Sequence, residues 1–329
     1  MEQTIKNIKN NSDDIFKALD IYLDCNGSKE CRACPGKTNG VLEFPKKTKR
    51  IVVFGDVHGD LDMLLTMFLK SQVINSDSEW IGKDTIVVQM GDILDRGGRS
   101  DSVDTDENNK CEELQIIQYI EFINKKALKH GGKVLCLVGN HELMNLLGDF
   151  RYTSINTNKC FKDKRQEYFT PGSELCHKLA CISYGILKIN DWVFVHGGIL
   201  SKHIESYGTN PNDFIKDVNE LTQQIIKGEK NIQSLTEYEK KLLLSEEGIF
   251  WTRQLNTDCQ KVKNSYDILQ LNKGGIVVGH TPMNEITSKC DNNYWMVDTG
   301  ASKAFGNKQK EIQILEIIKN GDEYEKNII

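Results

Sequence analysis

The 329-residue sequence lacks several features that mark particular classes of protein. No apolar run approaches the roughly 18 residues that a bilayer crossing needs, and the first residues lack the apolar core of a signal peptide. Basic residues do not predominate, since 42 lysines and arginines face 47 acidic residues, whereas nucleic-acid binders are normally basic. These absences predict a protein inside the cell, in the cytoplasm, with neither a membrane nor a nucleic acid as partner.

Cysteine is too sparse for a disulfide scaffold, with ten residues spread over the whole chain. Cys136 and Cys181 lie within apolar stretches. The one local cluster is Cys25, Cys31 and Cys34, and no fourth ligand follows it at a spacing typical of zinc sites. Reduced thiols in a surface loop are therefore the favoured interpretation, and a zinc or redox role is the alternative.

Short apolar runs rich in β-branched residues predict buried strands. They alternate with helical patterns such as residues 61–71 and 111–129, which indicates an α/β architecture. The predicted strands are residues 51–54, 85–90, 134–138, 192–195, 276–278 and 294–297.

One catalytic domain is expected over residues 50–318. A polar extension, residues 1–49, precedes it, and residues 319–329 are expected to form a tail. The acidic stretch 99–110 predicts a solvated loop. Residues 211–247 predict a helical insert, which either borders the substrate site or caps the surface without a role in it.

Five of the six predicted strands run into a segment that contains Asp, Asn or His beside glycine. Ligand sites in α/β sheets collect at the carboxyl ends of strands, so these segments are expected to share one site. Each segment alone is also compatible with an ordinary turn, but their joint order favours a site. The segments are Gly55-Asp56-Val57-His58-Gly59, residues 91–97, Gly139-Asn140-His141-Glu142, His196-Gly197-Gly198 and Gly279-His280-Thr281.

The donors in these segments are carboxylates, imidazoles and one amide oxygen, a set that suits Mn, Fe or Zn. Residues two apart on an extended chain face the same way, so Asp56 and His58 can bind one ion. Asp92 can bridge two ions roughly 3.5–4 Å apart, as in two-metal hydrolases. The sequence therefore predicts a two-metal phosphoesterase.

The segments resemble the motifs GDxHG, GDxxDRG, GNHE, HGG and a late His of the phosphoprotein-phosphatase family of calcineurin-like metallophosphoesterases. Residues 139–146, 148–152, 168–175 and 298–302 are similar to the Shewanella-like protein phosphatases. The resemblance covers roughly residues 50–306. It implies the metallophosphoesterase fold, in which two packed mixed β-sheets are flanked by helices in a four-layer sandwich.

The resemblance also implies a role for individual residues. His141 would protonate the leaving alkoxide, with Asp95 hydrogen-bonded to its imidazole. Arg96 and Arg253 would clamp the phosphate oxygens, with Asn140 beside them, although Arg253 could instead be an ordinary surface arginine. The implied metal ligands are Asp56, His58 and Asp92 for the first ion, and Asp92, Asn140, His196 and His280 for the second.

The implied activity is hydrolysis of phosphorylated proteins at phosphoserine and phosphothreonine, by in-line attack of a hydroxide that bridges the ions. Asp298-Thr299-Gly300-Ala301-Ser302 stands where large eukaryotic serine/threonine phosphatases have a segment of the Ser-Ala-Pro-Asn-Tyr-Cys type, which extends the expected substrates to phosphotyrosine. A hydrolase of dinucleoside polyphosphates or small nucleotides is the alternative on the same scaffold. A scaffold without activity is a third interpretation.

Overall fold

Two six-stranded sheets lie face to face at the centre of the molecule, and helices cover the outer face of each. The structure is a computed structural model that describes residues 1–10, 15–24, 34–44, 49–97, 99, 111–208, 210–306 and 310–329. One group of buried apolar side chains fills the space between the sheets, and one lies under the helices on each outer side. The four-layer α/β sandwich implied by the sequence is confirmed.

The first sheet has the strand order β12-β11-β2-β3-β4-β5. Strands β2 to β5 are parallel, and β11 runs antiparallel to both β2 and β12. The strands are β2 (Arg50–Phe54), β3 (Ile86–Gln89), β4 (Lys133–Leu137), β5 (Ser183–Tyr184), β11 (Leu315–Asn320) and β12 (Glu323–Ile328).

The second sheet has the strand order β1-β6-β7-β8-β10-β9. Its centre, β7-β8-β10, is parallel, while β6 and β9 pair antiparallel with their neighbours β7 and β10. The strands are β1 (Val41–Leu42), β6 (Ile186–Ile189), β7 (Trp192–Val195), β8 (Gly275–Val278), β9 (Thr287–Lys289) and β10 (Tyr294–Met296).

Twelve α-helices occur within the described ranges. None of them has both the length and the apolar surface that a bilayer crossing requires. The helices are α1 (Glu2–Asn10), α2 (Leu19–Leu23), α3 (Leu61–Lys70), α4 (Glu112–Lys129), α5 (Asn140–Leu146), α6 (Ile155–Cys160), α7 (Arg165–Phe169), α8 (Glu174–Ile182), α9 (Ser201–Tyr207), α10 (Pro211–Ile226), α11 (Glu237–Leu244) and α12 (Cys259–Ile268).

Strand β2 shows how the layers hold the site in place. Its side chains alternate, as the two-residue period of a strand requires. Val52 and Phe54 pack under the helices of the first sheet, whereas Ile51 and Val53 face the second sheet. All four side chains are fully buried. Because both faces of the strand are fixed by packing, the loop that follows Phe54 starts from a rigid point.

The six strands predicted from the sequence are all present, each within a residue or two of its expected bounds. The two ends of the chain differ from expectation. Ile5 and Ile8 of the expected polar extension are buried against α3, and β12 of the expected tail pairs with β11 along its whole length. Both ends therefore belong to the folded domain. The loop expected over 99–110 lies outside the described residues, apart from Arg99.

The segment 211–247, predicted to be a helical insert, contains α10 and α11. Helix α10 packs on β6 and buries Phe214, Ile215 and Val218 on the outer side of the second sheet. The residues that line the cavity described below all come from other parts of the described chain. The insert therefore caps the second sheet and does not border that cavity.

The described part of the chain contains three disulfides, and the one at Cys34 corrects the interpretation of that cysteine as a reduced thiol. They are Cys34–Cys181, Cys111–Cys160 and Cys259–Cys290, with partners 147, 49 and 31 residues apart. Only the fold brings such distant residues together, so spacing along the sequence could not reveal them. Cys25 and Cys31 lie outside the described residues. Disulfides persist in oxidising compartments, which weighs against the cytoplasmic location predicted above.

Loss of the Cys111–Cys160 bond should lower the free energy of unfolding by about 2–5 kcal/mol. The Cys111→Ser/Cys160→Ser double variant is expected to melt at a lower temperature than the parent. Cys136→Ala is the matched control, because Cys136 is buried and carries a free thiol. Peptide mapping under non-reducing conditions checks the pairing directly, and recovery of both peptides unlinked would contradict it.

Candidate metal and phosphate site

A cavity of about 420 Å³ opens where the carboxyl ends of strands from both sheets meet. It contains residues from the loops after β2, β3, β4 and β8, together with three aromatic side chains. The residues lining it are His58, Asp92, Arg99, Asn140, His141, Met144, Asp149, Arg151, Tyr152, Trp251, Arg253, His280, Pro282 and Phe305.

Asp92 lies at the centre of the site. Its Oδ2 atom is 3.2 Å from His196 Nε2, 3.8 Å from His58 Nε2 and 4.0 Å from His141 Nε2. Ligand atoms of Asp92, His58 and His141 form one group within 4.8 Å, and those of Asp92, His196 and His280 form another. Asp92 is therefore the one residue that belongs to both groups, as a bridging carboxylate must be.

The remaining predicted metal ligands lie beside these groups. Asn140 Oδ1 is 3.0 Å from His196 Nε2. Asp56 is almost fully buried, and its Oδ2 atom accepts a hydrogen bond from His280 N at 2.9 Å. The structure thus brings all six residues expected to bind metal into one place.

Hydrogen bonds fix the orientation of three imidazoles in the site. His196 Nδ1 lies 2.7 Å from Met90 O, and His58 Nδ1 lies 3.2 Å from Leu94 O. His280 uses its other nitrogen, Nε2, at 3.0 Å from Trp251 O. Because each carbonyl oxygen can only accept, the contacting nitrogen carries a proton, and in the neutral ring the second nitrogen keeps a lone pair. That is the state in which histidine binds a metal.

Several of the site residues in the loops also have an uncommon backbone conformation. His58, Asp92, Asp95 and His280 all have positive φ angles, between 46° and 69°. Such angles are uncommon for residues other than glycine and cluster at functional sites. The Glu142 carboxylate supports one of these loops, because it accepts hydrogen bonds from the backbone nitrogens of residues 92, 93, 94 and 139 at 2.7–3.2 Å.

Two buried carboxylate oxygens, Asp56 Oδ1 and Asp298 Oδ2, have no hydrogen-bond partner in the described part of the chain. Burial and the neighbouring Asp298 carboxylate raise the pKa of Asp56 well above its usual range. Burial raises the pKa of Asp298 to about 6, and the charge of Asp92 acts in the same direction. A bound cation would satisfy these oxygens and balance the charges, so the residues present fit the dinuclear metal centre that the fold implies.

Asp92 itself is stabilised in the charged form. Burial opposes its ionisation, but the imidazoles of His196, His141 and His58 outweigh burial and hold the pKa of Asp92 well below its usual range. Asp298 was not expected in the site, although a signal existed. It comes shortly after the buried strand β10, as the other motif residues come shortly after their strands, and a glycine lies two residues later.

His141 and Asp95 form the pair that the sequence predicted. His141 Nδ1 is 2.8 Å from Asp95 Oδ2, and the Nε2 atom of His141 faces Asp92. Burial lowers the pKa of the imidazole, but the carboxylates of Asp92 and Asp95 outweigh burial and raise it. The contact thus favours an imidazole that carries a proton on the side facing the cavity.

The two arginines expected to bind phosphate differ in position. Arg253 lines the cavity, and its Nη2 atom donates to His280 O at 3.4 Å. Arg96 instead donates from Nη1 to Gly59 O at 3.1 Å and to Glu112 Oε2 at 2.5 Å. The buried Glu112 carboxylate needs a counter-charge, which Arg96 supplies together with Lys9. Arg96 is thus not among the described residues that line the cavity, and its contact with the phosphate stays a prediction.

Arg99, three residues later, lines the cavity. Its Nη2 atom is 3.4 Å from both His58 Nε2 and His141 Nε2, and its guanidinium lies 4.8 Å from the centroid of the Phe305 ring. The family motif GDxxDRG pointed to Arg96, and Arg99 lies just outside that motif in the same loop after β3. Arg151 also reaches the cavity, paired with Asp149 at 2.6 Å.

Comparisons with known proteins agree with this geometry. Residues 49–318 match the family described as calcineurin-like phosphoesterase. Shewanella-like protein phosphatase 2 of Arabidopsis thaliana is 27% identical over 330 residues, covering 84% of this chain and 78% of that protein. Shewanella-like protein phosphatase 1 of Plasmodium berghei (strain Anka) is 29% identical over 266 residues, covering 77% and 67%.

A similar fold occurs in the solved structure of the cold-active protein-tyrosine phosphatase of a psychrophilic Shewanella species. It superposes with a TM-score of 0.70 at 24% identity, over 89% of this chain and 80% of that one. The family match contains every residue that lines the cavity and both central sheets, apart from the edge strands β1 and β12 and the last two residues of β11.

Proposed function

The chain belongs to the calcineurin-like phosphoesterase family, and we propose from this premise that it is a metal-dependent phosphoprotein phosphatase. One observation carries the proposal. Asp92 is shared by two groups of potential metal ligands at the floor of a cavity, with the His141–Asp95 pair beside it. The relatives named protein phosphatases support a phosphoric monoester hydrolase.

Two divalent ions would be held by the residues that already surround Asp92. Asp56, His58 and Asp92 would bind the first ion, and Asp92, Asn140, His196 and His280 the second. When bound, such ions polarise phosphoryl oxygens and lower the pKa of a water molecule between them. The donor set is compatible with Mn, Fe or Zn, and Asp298 would add negative charge close to the first ion.

The chain's own side chains would complete the chemistry. His141 would donate the proton on Nε2 to the leaving oxygen of the substrate, and Asp95 would keep the ring in that orientation. Arg253 and Arg99 would bind phosphate oxygens from the sides of the cavity, since guanidinium groups match the geometry of phosphate. Asn140 would contact the same phosphate from the floor.

The walls of the cavity support phosphotyrosine as a substrate beside phosphoserine and phosphothreonine. Tyr152, Trp251 and Phe305 line it, and the Tyr152 ring centroid is 5.0 Å from that of His141. An aryl phosphate could pack its ring against these side chains, because aromatic pairs are stabilising at such separations. The Shewanella protein of similar fold is a protein-tyrosine phosphatase, which supports this substrate.

The proposal is tested with metal analysis and a substrate panel. Protein purified without chelator should retain about two ions per chain and release phosphate from phosphoserine, phosphothreonine and phosphotyrosine peptides. Treatment with EDTA should remove the ions and the activity, and Mn should restore it. Faster turnover of a dinucleoside polyphosphate than of every phosphopeptide would favour the nucleotide hydrolase, and absence of both metal and turnover would favour an inactive scaffold.

Replacement of Arg253 and Arg96 by methionine should have different consequences. Arg253→Met is expected to raise KM about tenfold or more on phosphopeptides, because a charge-assisted contact to the phosphate is lost. Arg96→Met should leave KM nearly unchanged and destabilise the fold by on the order of 3 kcal/mol, because it breaks the buried pair with Glu112. Thermal melting and steady-state kinetics on both variants check this, and a rise in KM for Arg96→Met would restore its expected role.

A further inference from the structure

A buried polar cluster lies behind His141 and is not used directly by the proposed chemistry. It consists of Asn145, Arg165 and Glu113, and each of them contacts Asp95. Asp95 Oδ2 contacts His141, while Oδ1 accepts hydrogen bonds from Asn145 Nδ2 at 2.9 Å and from Arg165 Nη2 at 3.3 Å. The Asp95 backbone nitrogen donates to Glu113 Oε1 at 3.0 Å. Both carboxylate oxygens and the backbone of Asp95 are therefore fixed.

The members of the cluster also bond to one another. Arg165 Nε donates to Asn145 Oδ1 at 2.7 Å, and Arg165 Nη2 donates to Glu113 Oε2 at 2.7 Å. Asn145, one helical turn after His141, also donates to His141 O at 2.8 Å. All of these side chains are at most 4% exposed. In such a water-excluded network each hydrogen bond restrains the others.

The Arg165 guanidinium contacts three aromatic rings, and its burial removes it from water. It lies 4.8 Å from the ring centroid of Phe169, 5.0 Å from that of Phe161 and 5.9 Å from that of Phe150. Burying ionic groups requires loss of hydration, and replacing such groups by apolar residues is often neutral or stabilising. The packing of this region therefore does not by itself require an arginine.

We propose that Arg165 and Asn145 are positioning residues for the phosphatase reaction. They hold the Asp95 carboxylate in the one orientation in which the His141 ring presents Nε2 to the leaving oxygen of the substrate. This inference rests on the proposed role of His141 as proton donor. Both residues act through Asp95, because the cavity is lined by other side chains.

The cluster joins three helices, and a disulfide links the start of α4, one of them, to the end of α6, which precedes α7. Asn145 lies on α5, Arg165 begins α7 and Glu113 lies in the first turn of α4. Cys111 immediately precedes α4, and Cys160 ends α6, five residues before Arg165. Their bond keeps the two segments within 5.2 Å between Cα atoms. The segments that supply Arg165 and Glu113 are thus held together covalently.

The test compares substrates whose leaving groups differ in basicity. The metal-loaded enzyme is assayed on a phosphoserine peptide, which leaves as a basic alkoxide, and on p-nitrophenyl phosphate, whose leaving group needs little protonation. Arg165→Met should lower kcat about 10- to 100-fold on the peptide and less than about threefold on p-nitrophenyl phosphate, with KM unchanged. Arg165→Lys, which keeps the charge, should restore part of the loss on the peptide.

Asn145→Ala provides a second variant in case Arg165→Met does not fold, because it removes one bond to Asp95 and leaves the ion pairs in place. Its kcat should show the same dependence on the leaving group. Arg50→Met is the matched control, since it breaks the Arg50–Glu316 pair (2.6 Å) at the end of β2 away from the cavity. The kcat of Arg50→Met on the peptide and on p-nitrophenyl phosphate should stay close to the values of the parent.

The outcomes separate the two proposals. His141→Asn serves as the reference, because its kcat should fall more on the peptide than on p-nitrophenyl phosphate. If it does so, but Arg165→Met and Asn145→Ala lose kcat equally on both substrates or on neither, the positioning role is overturned. An unmodified enzyme that hydrolyses neither substrate would instead overturn the proposed phosphatase function. Circular dichroism and metal content, measured on every variant, establish that a loss of rate does not come from misfolding or from an empty metal site.

Discussion

Asp92→Asn is expected to lose bound metal and to lower kcat on p-nitrophenyl phosphate by about 10³-fold or more, the scale seen when a central electrostatic group is removed. The reason is that Asp92 belongs to both groups of potential ligands, whereas each of the other residues belongs to one. An amide keeps the shape of the side chain and can still accept the hydrogen bond from His141 N at 2.9 Å. The amide lacks, however, the negative charge that the Asp92 carboxylate presents to three imidazoles.

A matched control exists in Asp60, which is equally buried and lies four residues after Asp56. Its carboxylate accepts hydrogen bonds from Met63 N at 3.1 Å and from Lys303 N at 2.9 Å and caps helix α3. Asparagine serves well as a helix cap, so Asp60→Asn should keep metal and rate. Metal content by mass spectrometry, together with kcat, measures both variants. An Asp92→Asn enzyme that retains two ions would show that Asp92 does not bridge them.

Asp92→Asn should also lower kcat more than Arg253→Met does. Arg253 contacts one side of the cavity and its removal leaves every potential metal ligand in place. Binding of the phosphate would weaken, but the chemistry would persist at high substrate concentration. A larger fall of kcat in Arg253→Met than in Asp92→Asn would contradict the central position of Asp92.

The position of the site was predictable because it depends on strand topology, which the hydrophobic pattern reveals. Parallel strands end at one edge of a sheet, so residues that directly follow β2, β3 and β4 must lie near one another. The same argument applies to His196 and His280 after β7 and β8. The pattern alone did not say that the edges of the two sheets meet. The resemblance to a known family supplied that step.

The positions of individual arginines were not predictable, since they depend on contacts distant in the sequence. Arg96 and Arg99 share one loop, and the resemblance to the motif GDxxDRG favoured Arg96 for the phosphate. The choice is made by Glu112, which lies 16 residues after Arg96 in sequence and binds it at the start of α4. Arg165 is a similar case, because its partner Glu113 lies 52 residues earlier in the chain.

The disulfides and the packing of the two chain ends were not predictable either, because they also depend on contacts between residues distant in the sequence. A cysteine pair separated by 147 residues leaves no mark in local spacing, and Cys181 looked like an ordinary apolar position on α8. Helix α1 is only nine residues long and mostly polar, yet Ile5 and Ile8 bury against the domain. Such contacts require that the rest of the fold be known first.

His141→Asn should lower kcat on a phosphoserine peptide by about 10²- to 10⁴-fold, the usual range for a general acid. A smaller loss is expected on a phosphotyrosine peptide, because a phenol has a pKa of about 10 and leaves more readily than an alkoxide. The smallest loss is expected on p-nitrophenyl phosphate. The three substrates thus form a graded series, and the slope of the rate loss against leaving-group pKa measures how much protonation His141 contributes.

The graded series also separates His141 from the metal centre that it adjoins. His141 Nε2 belongs to the same ligand group as His58 and Asp92, so it could in principle bind an ion. Loss of a metal ligand would slow the hydrolysis of all three substrates equally, because each of these reactions needs the ions. His130→Asn is the matched control, since His130 is exposed at the end of α4 and should leave the series unchanged. Equal losses in His141→Asn, accompanied by lower metal content, would assign His141 to metal binding instead.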